Sequence, residues 1–113
     1  MGMLLTVREY IAKDGRSPFR QWLDTLDVAV RARIQARLLR FEMGNLGDHK
    51  RIGMGVWEAR LMFGPGYRVY FGKEGGSIII PLAGGEKSSQ TQDIRRAKRL
   101  WRDYLEAKKH DKA

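Results

Sequence analysis

Apolar and polar residues alternate along two stretches near the middle of the chain. From Val56 to Phe63, Trp57, Ala59, Leu61 and Phe63 fall on one face, and Glu58, Arg60 and Met62 on the other. From Tyr67 to Phe71, Tyr67, Val69 and Phe71 alternate with Arg68 and Tyr70. A period of two predicts half-buried strands, and Gly64-Pro65-Gly66 between them predicts a hairpin turn. A glycine-rich turn from Gly72 to Gly76 leads into a further strand, Ser77 to Ala83. Its run Ile78-Ile79-Ile80 predicts burial on both faces, while Pro81, which has no N–H, must sit at an edge or a bulge.

The flanking segments change period. Leu4 to Ile11 alternates as a first strand, with Leu5, Val7, Glu9 and Ile11 against Leu4, Thr6, Arg8 and Tyr10. Ser17-Pro18 is a helix start, with serine as N-cap and proline at the first helical position. Phe19, Trp22, Leu23 and Leu26 then face inward from a short helix. Asp27 caps a second helix that runs to about Met43 and stops at Gly44, with Val30, Ile34, Leu38 and Phe41 as its buried stripe. Arg31, Arg33, Arg37 and Arg40 lie mostly away from that stripe, as a solvated face or a track for phosphates. Asn45 to Met54 reads as a loop rich in glycine and basic residues. Ser89 and Gln92 fit a capping box for a last helix, about Gln90 to Lys109, with a disordered tail from about His110. Its apolar face holds Ile94, Ala97, Trp101, Tyr104 and Leu105, and Arg95, Arg96, Lys98, Arg99 and Arg102 make the rest basic.

These elements predict a single α+β domain in the order β-α-α-β-β-β-α. The sheet would be twisted, four-stranded and antiparallel through its last three strands, with the helices packed on one face. That face would bury Trp57, Leu61, Val69 and Phe71, leaving an open, basic face with Arg60, Arg68 and Tyr70. A three-residue turn would set Phe63 opposite Tyr67, Met62 opposite Arg68 and Arg60 opposite Tyr70. Arg60 and Arg68 would then be diagonal neighbours about 7–8 Å apart. Two guanidinium groups that close favour an anion between them, and phosphate fits their planar donors. Glu58, two residues from Arg60 on the same face, could instead neutralise it in a surface ion pair.

Charge is the strongest compositional fact. Twenty-two Lys and Arg against 13 Asp and Glu give +9 over 113 residues, which draws the protein to polyanions or to an acidic partner. An acidic small molecule is a poorer first guess. The chain has no cysteine, which fits a reducing cytosol and removes any thiol nucleophile. No stretch reaches membrane-spanning length, and no secretory signal opens the chain. Met1-Gly2 with Thr6 matches a myristoylation signal only by its letters. Of the two histidines, His49 lies in the basic loop and His110 in the tail, so a paired-histidine ribonuclease site and a zinc site both lack residues. His49 is a loop residue or a lone general base. Ser88 and Ser89 have no His/Asp partners for nucleophilic catalysis, and helix capping accounts for Ser89.

The order of residues adds a further level. Val-Trp-Glu-Ala-Arg, Gly-Pro-Gly-Tyr-Arg-Val-Tyr-Phe, an isoleucine strand and Gly-Gly-Glu-Lys-Ser-Ser-Gln-x-x-Asp-Ile follow one another here. This resembles the RelE/ParE toxin superfamily, in its HigB-like addiction module killer branch, over nearly the whole chain. The resemblance implies the cytoplasmic toxin of a type II toxin–antitoxin module. The activity it implies is a metal-independent endoribonuclease, without cofactor, that cleaves messenger RNA on the ribosome and inhibits translation. Carried over by motif, Arg60 and Arg68 would clamp the scissile phosphate, and Lys87 would add positive charge or act as acid. Lys50 and Arg51 would hold RNA, and Tyr70 would stack on a base or assist proton transfer. The implied partners are messenger RNA, the ribosome and a cognate antitoxin, often a helix-turn-helix DNA-binding protein, with no membrane. The chain departs from the better-known ribonucleases in having no isolated tyrosine just after the last strand. The superfamily also contains gyrase poisons of the ParE kind, and a non-catalytic nucleic-acid or antitoxin-binding module would need only the charge.

Overall fold

The computed structural model describes residues 4–111, so Met1 and Gly2, with the acylation signal read there, lie outside the described residues. The fold is α+β: β1 (Thr6–Val7), α1 (Pro18–Asp24), α2 (Val28–Glu42), β2 (His49–Gly53), β3 (Val56–Leu61), β4 (Tyr67–Glu74), β5 (Ile78–Glu86) and α3 (Gln90–Asp111). The sheet has five strands in the order β1-β5-β4-β3-β2, with β1 parallel to β5 and the other pairs antiparallel. The four-strand expectation missed β2, which forms inside the segment read as a loop. As an edge strand with one apolar residue, Ile52, β2 carries no alternation to read. The expected first strand shortens to Thr6–Val7, although the Arg8 and Tyr10 amides still donate to the Ile79 and Pro81 carbonyls.

Local signals at the first two helices hold. Ser17 Oγ accepts from the Arg20 amide at 3.0 Å with Pro18 in the first turn, and Asp27 Oδ2 accepts from the Ala29 amide at 3.1 Å. At α3 the capping box is differently built. A 3-10 turn, Lys87–Ser89, precedes the helix, and the Ser89 hydroxyl bonds the Asp93 carboxylate and the Glu86 backbone instead of capping with Gln92. Helix continues through His110 and Asp111, where a disordered tail was expected, and residues 112–113 lie outside the described range.

Helices pack on both faces of the sheet, which corrects the one-sided arrangement. Ala59, Leu61, Val69, Phe71 and Ile79 meet Phe19 and Leu23 of α1 and Ile34 and Phe41 of α2. The alternate residues Val56, Tyr70, Ile80 and Leu82 meet Ala97, Leu100 and Trp101 of α3. The three isoleucines thus divide as their run predicts, with Ile79 in one core and Ile80 in the other. Pro81 lies at a bulge, where β5 skips Leu82 between the partners of Phe71 and Tyr70. The face expected to be open is therefore roofed by α3. It is apolar under the middle of the helix and polar toward the helix N-terminus.

Candidate functional site

The polar end of the α3 face is built where the β3–β4 turn, the end of β5 and the start of α3 meet. The turn is longer than the sequence indicated. Leu61 pairs with Tyr67, so Met62 to Gly66 all lie in the turn, and Arg60 stands directly opposite Arg68 rather than diagonal to it. The local reason is a tightening at Phe63, whose amide donates to the Leu61 carbonyl at 2.9 Å and so ends the ladder two residues early. Because the slip is by an even number of positions, Arg60 and Arg68 still share a face.

Each arginine has its own carboxylate. Arg68, only 9% exposed, donates from Nη1 to Glu58 Oε1 at 3.1 Å, and Glu58 is fully buried. The second Glu58 oxygen accepts from Gln90 Nε2 at 2.9 Å, which ties the first residue of α3 to the middle of the sheet. Glu58 therefore does not neutralise Arg60 on the surface, as its spacing allowed. Asp48 does, accepting from Arg60 Nη2 at 3.0 Å in a half-exposed pair. Asp48 is held in turn by Arg37. That side chain leaves the solvated face expected for it and donates to the carbonyls of Leu46, Asp48 (2.8 Å) and Arg60 (2.9 Å). Burial pushes the Arg37 guanidinium below its ordinary value, against the nearby charge of Asp48.

Three buried polar atoms remain without a hydrogen-bond partner among the described residues: Arg60 Nε, Arg68 Nε and the Tyr70 hydroxyl. Tyr70 lies beneath α3 with no exposure, so it cannot stack on a nucleic-acid base as its strand position had implied. Its pKa is pushed well up, first by burial and then by the charges of Glu58 and Asp93. The phenol leans toward Glu58 without reaching hydrogen-bond geometry.

Lys87 is exposed and opens the 3-10 turn, two residues after Gly85, the cross-strand partner of Arg68. It folds back over the β3–β4 turn, where a Cβ added at Gly66 would lie 3.4 Å from Lys87 Cβ. Gly84 and Gly85 serve close approach more than backbone freedom. A Cβ at Gly84 would meet the Trp22 ring at 2.1 Å, and one at Gly85 would meet Asp93 Oδ2 at 1.8 Å. Glycine is what lets α3 bring Asp93 and Gln90 down to the strand.

Strand alternation separates the other two candidates. Lys50 pairs with Glu58 in register and shares the face of Arg60, whereas Arg51 pairs with Trp57 and points to the opposite face. There Arg51 and Lys73 flank the Trp57 ring at 5.0 and 3.9 Å, and the His49 ring packs on it at 5.6 Å. His49 is thus a strand residue, its Nδ1 bonded to the Gly47 carbonyl at 2.7 Å. The site gathers Arg60, Arg68, Lys87 and Lys50, and leaves out Arg51 and Tyr70. Sequence reasoning missed Arg37, Asp48, Gln90 and Asp93. Only Gln90 and Asp93, within the Ser-Ser-Gln-x-x-Asp string, carried any signal.

No family model matches the chain. It is 43% identical over 83 residues to an uncharacterized protein of Haemophilus influenzae, a match spanning 73% of this chain and 84% of that protein. The chain therefore belongs to the same protein family as that Haemophilus influenzae protein.

Proposed function

We propose that the protein is the toxin of a type II toxin–antitoxin module in the RelE/ParE superfamily, of the HigB-like kind, and that it cleaves messenger RNA without a metal ion. The observation that carries this reading is the direct pairing of Arg60 with Arg68 beside an exposed Lys87, with Arg68 fixed from below by the buried Glu58–Gln90 contact. A phosphodiester entering this end of the sheet competes with Asp48 for Arg60, because both are anions and only one fits the fork. Its arrival frees the Asp48 carboxylate, which accepts the 2′-hydroxyl proton as the 2′-oxygen bonds to phosphorus. Lys87 protonates the departing 5′-oxygen as the P–O5′ bond breaks, leaving a 2′,3′-cyclic phosphate. The guanidinium of Arg68 stabilises the charge that builds on the phosphorane oxygens. Lys50 extends the same basic face toward RNA or the ribosome, and an acidic antitoxin would neutralise it. No cofactor enters the scheme.

One observation favours a second reading. Both arginines already hold carboxylates, as they would in a surface that binds but does not cut, whether a gyrase poison or a nucleic-acid or antitoxin-binding module. Mapping of messenger RNA 5′ ends after induction in cells separates the two. Lys87→Ala and Asp48→Asn are the test variants, since Arg68→Ala would also strand Glu58. New cuts within translated regions that disappear in both variants are expected. Growth arrest with intact messages would point to gyrase, and no arrest would leave the binding module.

A further inference from the structure

At the opposite end of the strands from Arg60 and Arg68, the β2–β3 hairpin presents a second group of cations. Arg51 Cζ lies 5.0 Å and Lys73 Nζ 3.9 Å from the centre of the Trp57 ring. Neither cation has a carboxylate partner among the described residues. The three side chains come from neighbouring strands. Arg51 pairs with Trp57 across β2 and β3, and Lys73 lies two residues beyond Phe71, the β4 partner of Trp57. By strand alternation they face away from the Arg60–Arg68 pair. A cavity of about 420 Å³ opens beside them, lined by Arg51, Trp57, Lys73 and the turn residues Gly53, Met54 and Gly55. That volume is in the range of small-molecule sites, about 300–1,000 Å³.

Two like charges held against one ring call for an explanation. An indole attracts a cation through its quadrupole, but it neutralises neither charge. Lys73 registers the effect: burial first, and then the charge of Arg51, lower its pKa from the ordinary lysine value. An anion beside both groups would offset the repulsion. The turn that borders the cavity is strained as well. Gly53, Met54 and Gly55 have φ of 99°, 57° and 82°, and Met54 is the sole non-glycine residue at positive φ among those described. A long, polarisable side chain, 72% exposed, is thus held at the cavity where Asn, Asp or Gly would suit the turn better. Backbone strain of this kind collects at ligand sites.

We infer that this cavity binds a nucleoside monophosphate, with its phosphate between Arg51 and Lys73 and its base against Trp57 and Met54. Charge and size select the ligand. A terminal phosphate monoester approaches two negative charges at pH 7 and matches the two cations, whereas an internal phosphodiester of a nucleic acid carries only one. The Arg51 guanidinium offers parallel donors to two phosphate oxygens, and the Lys73 ammonium adds a point charge at a third. Inorganic phosphate would meet the cations but leave the apolar surface of Met54 and the indole in water. The inference does not rest on message cleavage, since Arg60, Arg68 and Lys87 lie at the far end of the strands.

The probe is adenosine 5′-monophosphate, titrated into the full chain by calorimetry with the Trp57 indole followed by NMR. One saturable site that shifts the Trp57 signal is expected, with inorganic phosphate and adenosine each at least about tenfold weaker. Lys73→Gln and Arg51→Gln should each weaken the nucleotide about tenfold while leaving the urea midpoint close to that of the wild type. No saturable shift, or equal affinity for adenosine, would overturn the inference. Equal affinity for inorganic phosphate would do the same by reducing the site to one for an adventitious ion only. A single-stranded DNA dodecamer without terminal phosphates is the polyanion control. If it shifts Trp57 as strongly at equal phosphate concentration, the surface is a general one and the nucleotide site is refuted. Unchanged affinity in either glutamine variant would also sink the idea.

Discussion

On the α1–α2 face of the sheet, Ala59, Leu61, Val69 and Phe71 meet Phe19, Leu23, Ile34 and Phe41 as hydrocarbon against hydrocarbon. On the α3 face the intervening residues of the same strands bury Glu58, Arg68 and Tyr70 beside Val56, Ile80 and Trp101. Burying apolar surface stabilises in proportion to its area and tolerates some repacking. Burying an ion pair recovers at best about what its desolvation costs, but it fixes where a charge points. The two faces therefore divide the work. One supplies stability, and the other gives up part of it to hold the Arg68 guanidinium in place beside Arg60.

The largest expected effects test that division. Phe71→Ala should cost about 3–5 kcal/mol by emptying a fully buried ring site. Glu58→Ala should cost about as much, roughly 3–5 kcal/mol, by leaving Arg68 buried and unpaired. The singles look alike, and a double separates them. Glu58→Leu with Arg68→Met should return urea stability to the wild-type value or above it while abolishing the message cleavage proposed above. A double as unstable as Glu58→Ala would mean that the pair stabilises the fold outright, and the contrast between the faces would fail.

Arg37 offers an intermediate effect at the margin of the apolar face. Its donors hold the carbonyls of Leu46, Asp48 and Arg60, so Arg37→Met should cost about 1.5–3 kcal/mol. Amide exchange should quicken along His49–Gly53, and the proposed cleavage should fall although Arg37 lies outside the proposed phosphate site. Fast exchange in β2 with undiminished cleavage would show that the Asp48–Arg60 pair orders itself without the staple.

The contrast between the faces was only half legible in the sequence. Alternation in β3 and β4 identified both sets of residues and the apolar face correctly, because a period of two survives any even slip in register. What alternation cannot encode is whether a helix lies over the polar set. The stripe Ile94, Ala97, Trp101 in α3 looks the same whichever face it covers, so Arg68 and Tyr70 were expected in solvent and are buried. β2 was invisible for a related reason. Its sequence HKRIG has one apolar residue, and its place at the edge is set by pairing with β3 and by Arg37 reaching from α2. Such long-range contacts leave no local period. Gln90 and Asp93 sat in a string that was read for capping, and their second use depends on Gly85 having no side chain.

The smallest effect isolates Tyr70, whose hydroxyl, unlike the guanidinium groups of Arg60 and Arg68, makes no hydrogen bond at all. The Tyr70 hydroxyl is buried and makes no hydrogen bond, so Tyr70→Phe should leave stability at pH 7 unchanged or slightly raised. The difference emerges in alkali. Burial and the charges of Glu58 and Asp93 raise the folded pKa of Tyr70, while in the unfolded chain the phenol ionises near pH 10. Below about pH 10 both states keep the proton and pH has no leverage through this group. Above it the unfolded chain releases a proton that the folded chain retains, so wild-type stability declines by up to about 1.4 kcal/mol per pH unit from Tyr70 alone. The phenylalanine variant lacks that component. Other groups titrate in both proteins and cancel in the comparison. Urea midpoints at pH 9 and pH 11 should therefore coincide or favour the variant at the lower pH, and separate further in its favour at the higher. Parallel declines would mean that the phenol under α3 reaches water, and that this face is less sealed than its packing against Ala97 and Trp101 requires.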